Sequence, residues 1–228
     1  MALEPLDTPA RTRFNQLHRE VRERICLLIY PPGMKLFEEQ LADEFGVSRS
    51  PIRRVLSRLE ADGLVEIVHG VGTIVIDLDA ARLKDAYDLR LGLLSMFGAM
   101  AVPTVPLDVV RRFRQVEETI RISKHDMTAE DLSRLNMTTA DMTLELIANT
   151  AYRDIIERLY YQTSRFLMQA IRAVGLTDEI EIFHREIKDM LLALEAGDLE
   201  AFGKMRKSHV SQSYIRMSLS QKIGQNLS

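Results

Sequence analysis

The sequence is most informative first in what it lacks. Its 228 residues contain one cysteine, Cys26. An internal disulfide framework and a cysteine-rich zinc site are therefore excluded, and a reducing compartment is expected. No run approaches the roughly 18–20 apolar residues that a membrane-spanning helix needs, so no membrane association is expected. The opening residues, MALEPLDTPARTRF, place no apolar stretch behind a basic start, which argues against a secretory signal. Neither an internal repeat nor a low-complexity tract is present. Excess positive charge is missing too: 30 Lys and Arg against 33 Asp and Glu leave a net charge of -3. Any nucleic-acid binding must then come from local clustering. No Gly-rich phosphate loop and no nucleophile–base arrangement can be placed, so no catalytic residue is assigned and the chain is read as a non-enzyme.

What is present is an ordinary globular composition, 46% apolar and 28% charged. The length suits one large or two modest domains. Phe14, Leu17, Val21, Ile25, Leu28 and Ile29 recur at helical spacing and predict a helix over residues 12–29, stopped by Pro31, Pro32 and Gly33. A short helix over 37–45 would bury Leu41 and Phe45, with Gly46 in a tight turn. Ser48 is the expected N-cap of a further helix running to Ala61. Two β-branched runs, 65–68 and 73–76, flank His69-Gly70-Val71-Gly72 and predict a small hairpin. Beyond Ile76 no strand-like alternation appears. Six helices are expected, over 79–101, 107–123, 129–148, 152–174, 177–196 and 199–219, with a frayed tail at 220–228. Thr128 and Asp131 have the spacing of a capping box, Gly197 suits a C-cap, and Asp198 a helix start. The fold class expected is mainly α: a winged helix-turn-helix over residues 1–78, then an all-helical bundle over 79–228.

The charge that the whole chain lacks is concentrated in one place. Residues 48–58 hold four arginines and no acid, whereas residues 1–76 together hold 10 Lys and Arg against 11 Asp and Glu. On a wheel of roughly 100° per residue, Ile52, Val55, Leu56 and Leu59 gather on one side. Ser50, Arg53, Arg54 and Ser57 lie opposite, flanked by Arg49 and Arg58, and Pro51 sits in the first turn, where its missing N–H matters little. A short helix and a turn precede this helix and a hairpin follows it. That order is the winged helix-turn-helix, whose second helix enters the major groove. Arginine reads guanine O6/N7 there, and serine meets phosphates or bases.

The stretch LADEFGVSRSPIRRVLSRLEADGLV, residues 41–65, closely resembles the DNA-reading signature of the GntR family of bacterial repressors, with GVSRSPIR its most specific part. PPGMKL upstream and VHGVGTIV downstream resemble the family in the expected order. The resemblance implies that Arg49 and Arg53 contact bases or nearby phosphates, that Ser48 and Ser50 contact backbone, and that His69 and Gly70 sit at the wing tip. Arg54 stands where family members commonly carry glutamate, and its outward position implies an added phosphate contact or an altered sequence choice.

The helical part resembles the FCD domain of the FadR subfamily. Tyr87-x-x-Arg90 is similar to the start of its first helix. Asn149 resembles the asparagine closing its central helix, and LEAGDLEAFGKMRKSH resembles its last junction and terminal histidine. The resemblance implies a dimerising bundle that holds a small effector, often a carboxylate. Many FCD domains also bind a divalent metal through one Asp and three His. Aligned by Asn149 and Gly197-Asp198, those positions fall on Asn136, Ala140, Ile187 and His209. One amide and one imidazole do not make a site for zinc, nickel or manganese, so no metal cofactor is expected. A shifted ligand set, Asp141, Glu145, His184 and His209, is the alternative. Without a metal, Arg90 is the first candidate to receive an acidic effector, with Arg165 and Arg172 behind it. The pocket residues expected are thus Arg90, Asn136, Ala140, Ile187 and His209. Met137, Met142, Met168 and Met190 are read as core filler rather than ligand contacts.

The resulting expectation is a cytoplasmic bacterial homodimer, nucleoid-associated when bound to a pseudo-palindromic double-stranded operator and responsive to a small-molecule effector. An effector-independent DNA-binding protein is the rival reading. An enzyme with an accessory DNA-binding head would need a longer α/β portion than the chain provides.

Overall fold

A computed structural model of the chain describes residues 8–77 and 79–225, the side chains at 169, 170, 172–174, 217 and 219–225 excepted. The chain divides into two compact units, residues 1–78 and 79–228.

The first unit opens with α1, Pro9–Cys26. Thr8 caps it, its side chain accepting from the Arg11 N–H, with proline at the first helical position. Leu17, Val21 and Ile25 form its buried face. The helix stops before the expected 29: Leu28 takes a φ of 58°, the one positive φ among described non-glycine residues, and Ile29 turns to solvent. Strand β1 is only Lys35–Leu36. Helix α2, Glu38–Glu44, leads through Gly46, at φ 60°, into α3, Arg49–Ala61. An L side chain is strained at that φ, so the turn between the two helices calls for glycine. Ile52, Val55, Leu56 and Leu59 are all essentially fully buried, which fixes the rotation of α3.

The hairpin is β2, Val65–Val68, and β3, Gly72–Val75. It is part of a three-stranded antiparallel sheet in the order β1-β3-β2, with Leu36 opposite Thr73 and Ile67 opposite Thr73 from the other side. The third strand went unpredicted because two residues cannot show an alternating pattern.

The second unit is helical: α4 Ala80–Leu94, α5 Phe97–Met100, α6 Leu107–Ser123, α7 Ala129–Glu145, α8 Thr150–Val174, α9 Leu176–Glu195 and α10 Leu199–Gln225. The first expected helix, 79–101, is thus two, broken at Ser95 and Met96. The last runs six residues past its expected end at 219, and residues 226–228 of the expected tail lie outside the described ones. Thr128 and Asp131 form the full capping box. Asn149 opens α8 instead of closing the helix before it: its side chain accepts from the Tyr152 N–H at 3.0 Å. Ala196 caps α9, Gly197 follows at φ 71°, and Asp198 accepts from the Ala201 N–H at 2.8 Å.

Phe97, Phe113 and Phe202 meet at the centre of this unit, with Phe202 5.3 and 6.1 Å from the other two ring centres. Gly203 lets α10 approach α5 closely, since a Cβ there would sit 2.7 Å from Phe97 Cβ. Met137, Met142, Met168 and Met190 are buried, as core residues.

Candidate nucleic-acid interface and ligand cavity

The apolar face of α3 faces the core, and its charged residues are therefore turned outward. Ser48, Arg49, Ser50 and Arg53 are exposed. Ser48 occupies the N-cap position with extended backbone, yet its side chain makes no capping hydrogen bond. The two arginines are not loose. Arg53 grips Glu38 with two parallel bonds, Nε to Oε1 at 2.9 Å and Nη2 to Oε2 at 2.8 Å. Arg49 pairs with Glu39. Glu38 and Glu39 form the first turn of α2. The Arg53 hydrogen bonds hold the Glu38 carboxyl below its ordinary pKa. Side chains of this exposure form weak pairs, which orient the guanidinium groups without locking them.

Arg54 stands on the outward side of α3, as its place on the wheel implies. It is exposed, but its guanidinium lies over the Phe14 ring, 5.1 Å from the centre. The cation is drawn back onto α1 by the ring face, a contact the wheel of one helix cannot reveal. Arg58 pairs with Asp62 at 3.1 Å, and His18 reaches the same carboxylate at 2.9 Å. His69 and Gly70 are exposed in the turn between β2 and β3. The first unit thus presents a cationic helix edge and a β turn as separate exposed features of one small domain.

In the second unit, α4, α7, α8, α9 and α10 surround a cavity of about 50 Å3. Tyr87, Arg90, Asn136, Glu186, Arg206 and His209 are among its lining residues. Arg90 is buried, with Nη1 donating to Thr163 Oγ1 at 3.0 Å. The Tyr160 and Tyr87 rings lie 5.2 and 5.9 Å from its guanidinium carbon. Burial first, and the Arg206 charge after it, pull the Arg90 pKa down to about 10, so it stays cationic at neutral pH. Burial pushes the Glu186 carboxyl up to about 7. His209 Nε2 lies 3.4 Å from Asp189 Oδ2, and its Nδ1 is buried with no hydrogen-bond partner among the described residues. Burial lowers the His209 pKa, which favours the neutral ring.

Of the five expected pocket residues, Arg90, Asn136 and His209 come together. Ala140 and Ile187 are buried in the core and do not border the cavity. Ile187 is one residue out of phase: Glu186, about 100° away around α9, faces the cavity instead. The shifted ligand set is not assembled. Asp141 accepts from the Tyr161 hydroxyl at 2.6 Å, Glu145 pairs with Arg112, and His184 Nε2 lies 2.7 Å from Glu117 Oε1. Among the described residues, no three His, Cys, Asp or Glu side chains converge as a metal site. Two guanidinium groups in the cavity oppose a divalent cation, so its donor set does not fit the metal of the family. Arg165 is buried, and the Arg172 side chain lies outside the described ones. Arg206 and Glu186 were missed by sequence reasoning. Arg206 had a signal: it lies one helical turn before His209 on α10 and so shares its face.

A winged helix-turn-helix unit joined to a helical unit with an internal cavity defines a DNA-binding regulator class. Comparison with known proteins narrows this. Residues 14–75 match the bacterial regulatory proteins of the gntR family, and residues 85–212 match the FCD domain. The chain belongs to the GntR family, in its FadR-like arrangement, and is a transcriptional regulator of GntR/FCD type. It is 26% identical over 178 residues to the gluconate operon transcriptional repressor of Bacillus subtilis (strain 168), covering 78% of this chain and 72% of that one. It is 21% identical over 212 residues to the HTH-type transcriptional repressor RspR of Escherichia coli (strain K12), covering 93% and 92%. In fold it resembles the solved structure of E. coli McbR/YncC with a TM-score of 0.77 at 18% identity, over 91% of this chain and 98% of that one. These relatives are regulators rather than enzymes. No described helix is long and apolar enough to cross a membrane.

Proposed function

We propose that the chain is a cytoplasmic homodimeric repressor whose operator affinity is set by a small organic acid or related metabolite bound in the helical unit. One observation carries the effector reading: two buried cationic side chains, Arg90 and Arg206, line one internal cavity. Among the described lining residues the two guanidinium groups outnumber the one carboxylate, Glu186, and an anionic ligand would supply the missing counter-charge. The exposed arginines of α3 support the DNA reading. Arg49 and Arg53 would exchange Glu39 and Glu38 for base edges or phosphates, Ser48 and Ser50 would contact the backbone, and His69 and Gly70 would lie in the neighbouring minor groove. A two-fold protein reads two-fold DNA, so the operator would be pseudo-palindromic. Ligand and DNA would alter each other's affinity by the same factor.

The test is selection of bound duplexes from random sequence, followed by footprinting. Two related half-sites, protected together, are expected. A single unpaired half-site would contradict the dimer. DNA binding that no small acid alters would support the effector-independent reading instead.

A further inference from the structure

Of the arginines on α3, Arg54 is held in its own way. Arg49, Arg53 and Arg58 each meet a carboxylate, of Glu39, Glu38 and Asp62 in turn. Arg54 is exposed and meets none among the described residues; its guanidinium rests over the Phe14 ring of α1. A cation held by a ring face gives up no N–H donor to it, so the donors of Arg54 stay available to another group. The ring is itself backed. Phe14 stacks on His18 with centroids 6.3 Å apart, and His18 Nε2 lies 2.9 Å from Asp62 Oδ2 at the end of α3.

A second cation stands beside this stack. Arg13 precedes Phe14 on α1, and its Nη2 donates to the Gly46 carbonyl at 3.3 Å. Arg13, Ser48 and Pro51 line an open cleft of about 530 Å3. Asp43 lines it too, and forms no ion pair with Arg13 among the described residues. Arg54 follows Pro51 by three residues, one turn along the same side of α3. The α1 side of α3 thus carries Arg13 and Arg54, and its α2 side carries Arg53 and Arg49 on glutamates.

We propose that Arg54, oriented by Phe14, grips a DNA phosphate together with Arg13, on the strand that runs along the α1 side of α3. This contact rests on the DNA reading above. It settles the choice left open at Arg54, between an added phosphate contact and an altered sequence choice, for the phosphate. Dimensions decide it. A helix about 10–12 Å across fills a major groove about 12 Å wide. Arg54 stands about 100° around α3 from Arg53, so with Arg53 at the base edges Arg54 meets the groove wall, which is phosphate. Contacts to that wall fix register and carry no sequence information. The parallel N–H donors of a guanidinium suit a phosphate as they suit a carboxylate.

The experiment uses the full chain, the duplex it selects and a random duplex of equal length, titrated across a series of salt concentrations. Each phosphate neutralised contributes about 0.9 to the slope of log K against log salt. Arg54→Gln should lower that slope by about 0.9 for each head bound. It should weaken both duplexes by the same factor, about two- to tenfold. Arg54→Lys should keep most of the slope. Arg13→Gln should act as Arg54→Gln does, a readout that survives if Arg54→Gln does not fold. Phe14→Leu should weaken both duplexes in the wild-type background and have no further effect beside Arg54→Gln, since Phe14 acts through Arg54. Equal weakening in both backgrounds would make Phe14 a packing residue and overturn its positioning role. A loss confined to the selected duplex would mark Arg54 as a base reader and overturn the proposal. So would an unchanged slope in folded Arg54→Gln and Arg13→Gln. A wild-type chain that selects DNA while both variants keep its slope defeats this contact alone. One that selects no duplex defeats the regulator reading itself.

Discussion

The two units use the same side chain in opposite ways. On α3, Arg49 and Arg53 are exposed and each is met by a glutamate of α2. Around the helical cavity, Arg90 and Arg206 are buried, and among the described residues neither forms an ion pair with a carboxylate. An exposed pair in water is worth little, so the α2 glutamates can be given up for a polyanion at small expense. A buried unpaired cation is costly wherever it occurs, and folding alone gives no reason to keep it. The contrast shows where each function lives: the first set is held in position for exchange, and the second is held in readiness for a counter-ion.

Substitutions can break or sharpen that contrast. The largest effect is expected in the helical core. Phe202→Ala should lower its stability by about 3–5 kcal/mol, read by urea or thermal unfolding, because Phe202 is fully buried between Phe97 and Phe113. At the surface, Arg53→Ala or Arg49→Ala should leave the melt unchanged and weaken specific DNA binding by about 1–3 kcal/mol if either reads a base. Equal loss on random duplexes would mark a phosphate contact instead. Arg206→Met should do the reverse, raising the stability of the ligand-free chain by about 1 kcal/mol as a buried charge is replaced by an apolar chain of similar length. A lower Tm in Arg206→Met would contradict the unpaired-cation account. The smallest effect is expected from Glu38→Gln. Removing one carboxylate beside α3 should raise affinity for random DNA and narrow the specific-to-random ratio by a few-fold, about 0.5–1 kcal/mol in a binding titration.

Much of this was legible in the sequence, for identifiable reasons. The period of Ile52, Val55, Leu56 and Leu59 fixed which side of α3 is buried and so which arginines are exposed. The capping box at Thr128 and Asp131 is a local signal and appears where expected. Signals that depend on a second element were not legible. The outward position of Arg54 on the wheel is real, but Phe14 on α1 captures its guanidinium. The break at Ser95 and Met96 itself carries neither proline nor glycine, and the flanking Gly92 and Gly98 are only a weak local signal of it. In the cavity, Arg90 and His209 were found by resemblance, whereas Arg206 and Glu186 emerge only when α9 and α10 are packed together. Aligning the family's metal positions gave the right neighbourhood but the wrong phase on α9, where Ile187 fills the core and Glu186 faces the cavity.

The most direct test of the account joins both units in one assay. A duplex selected by the wild-type chain is titrated with wild type and with Arg206→Gln, each with and without small organic acids (glycolate and lactate among them) and without metal. The account predicts equal DNA affinity of the two proteins in the absence of acid, a shift with acid for wild type, and none for Arg206→Gln. An equal shift in both proteins, or none in either, would contradict it.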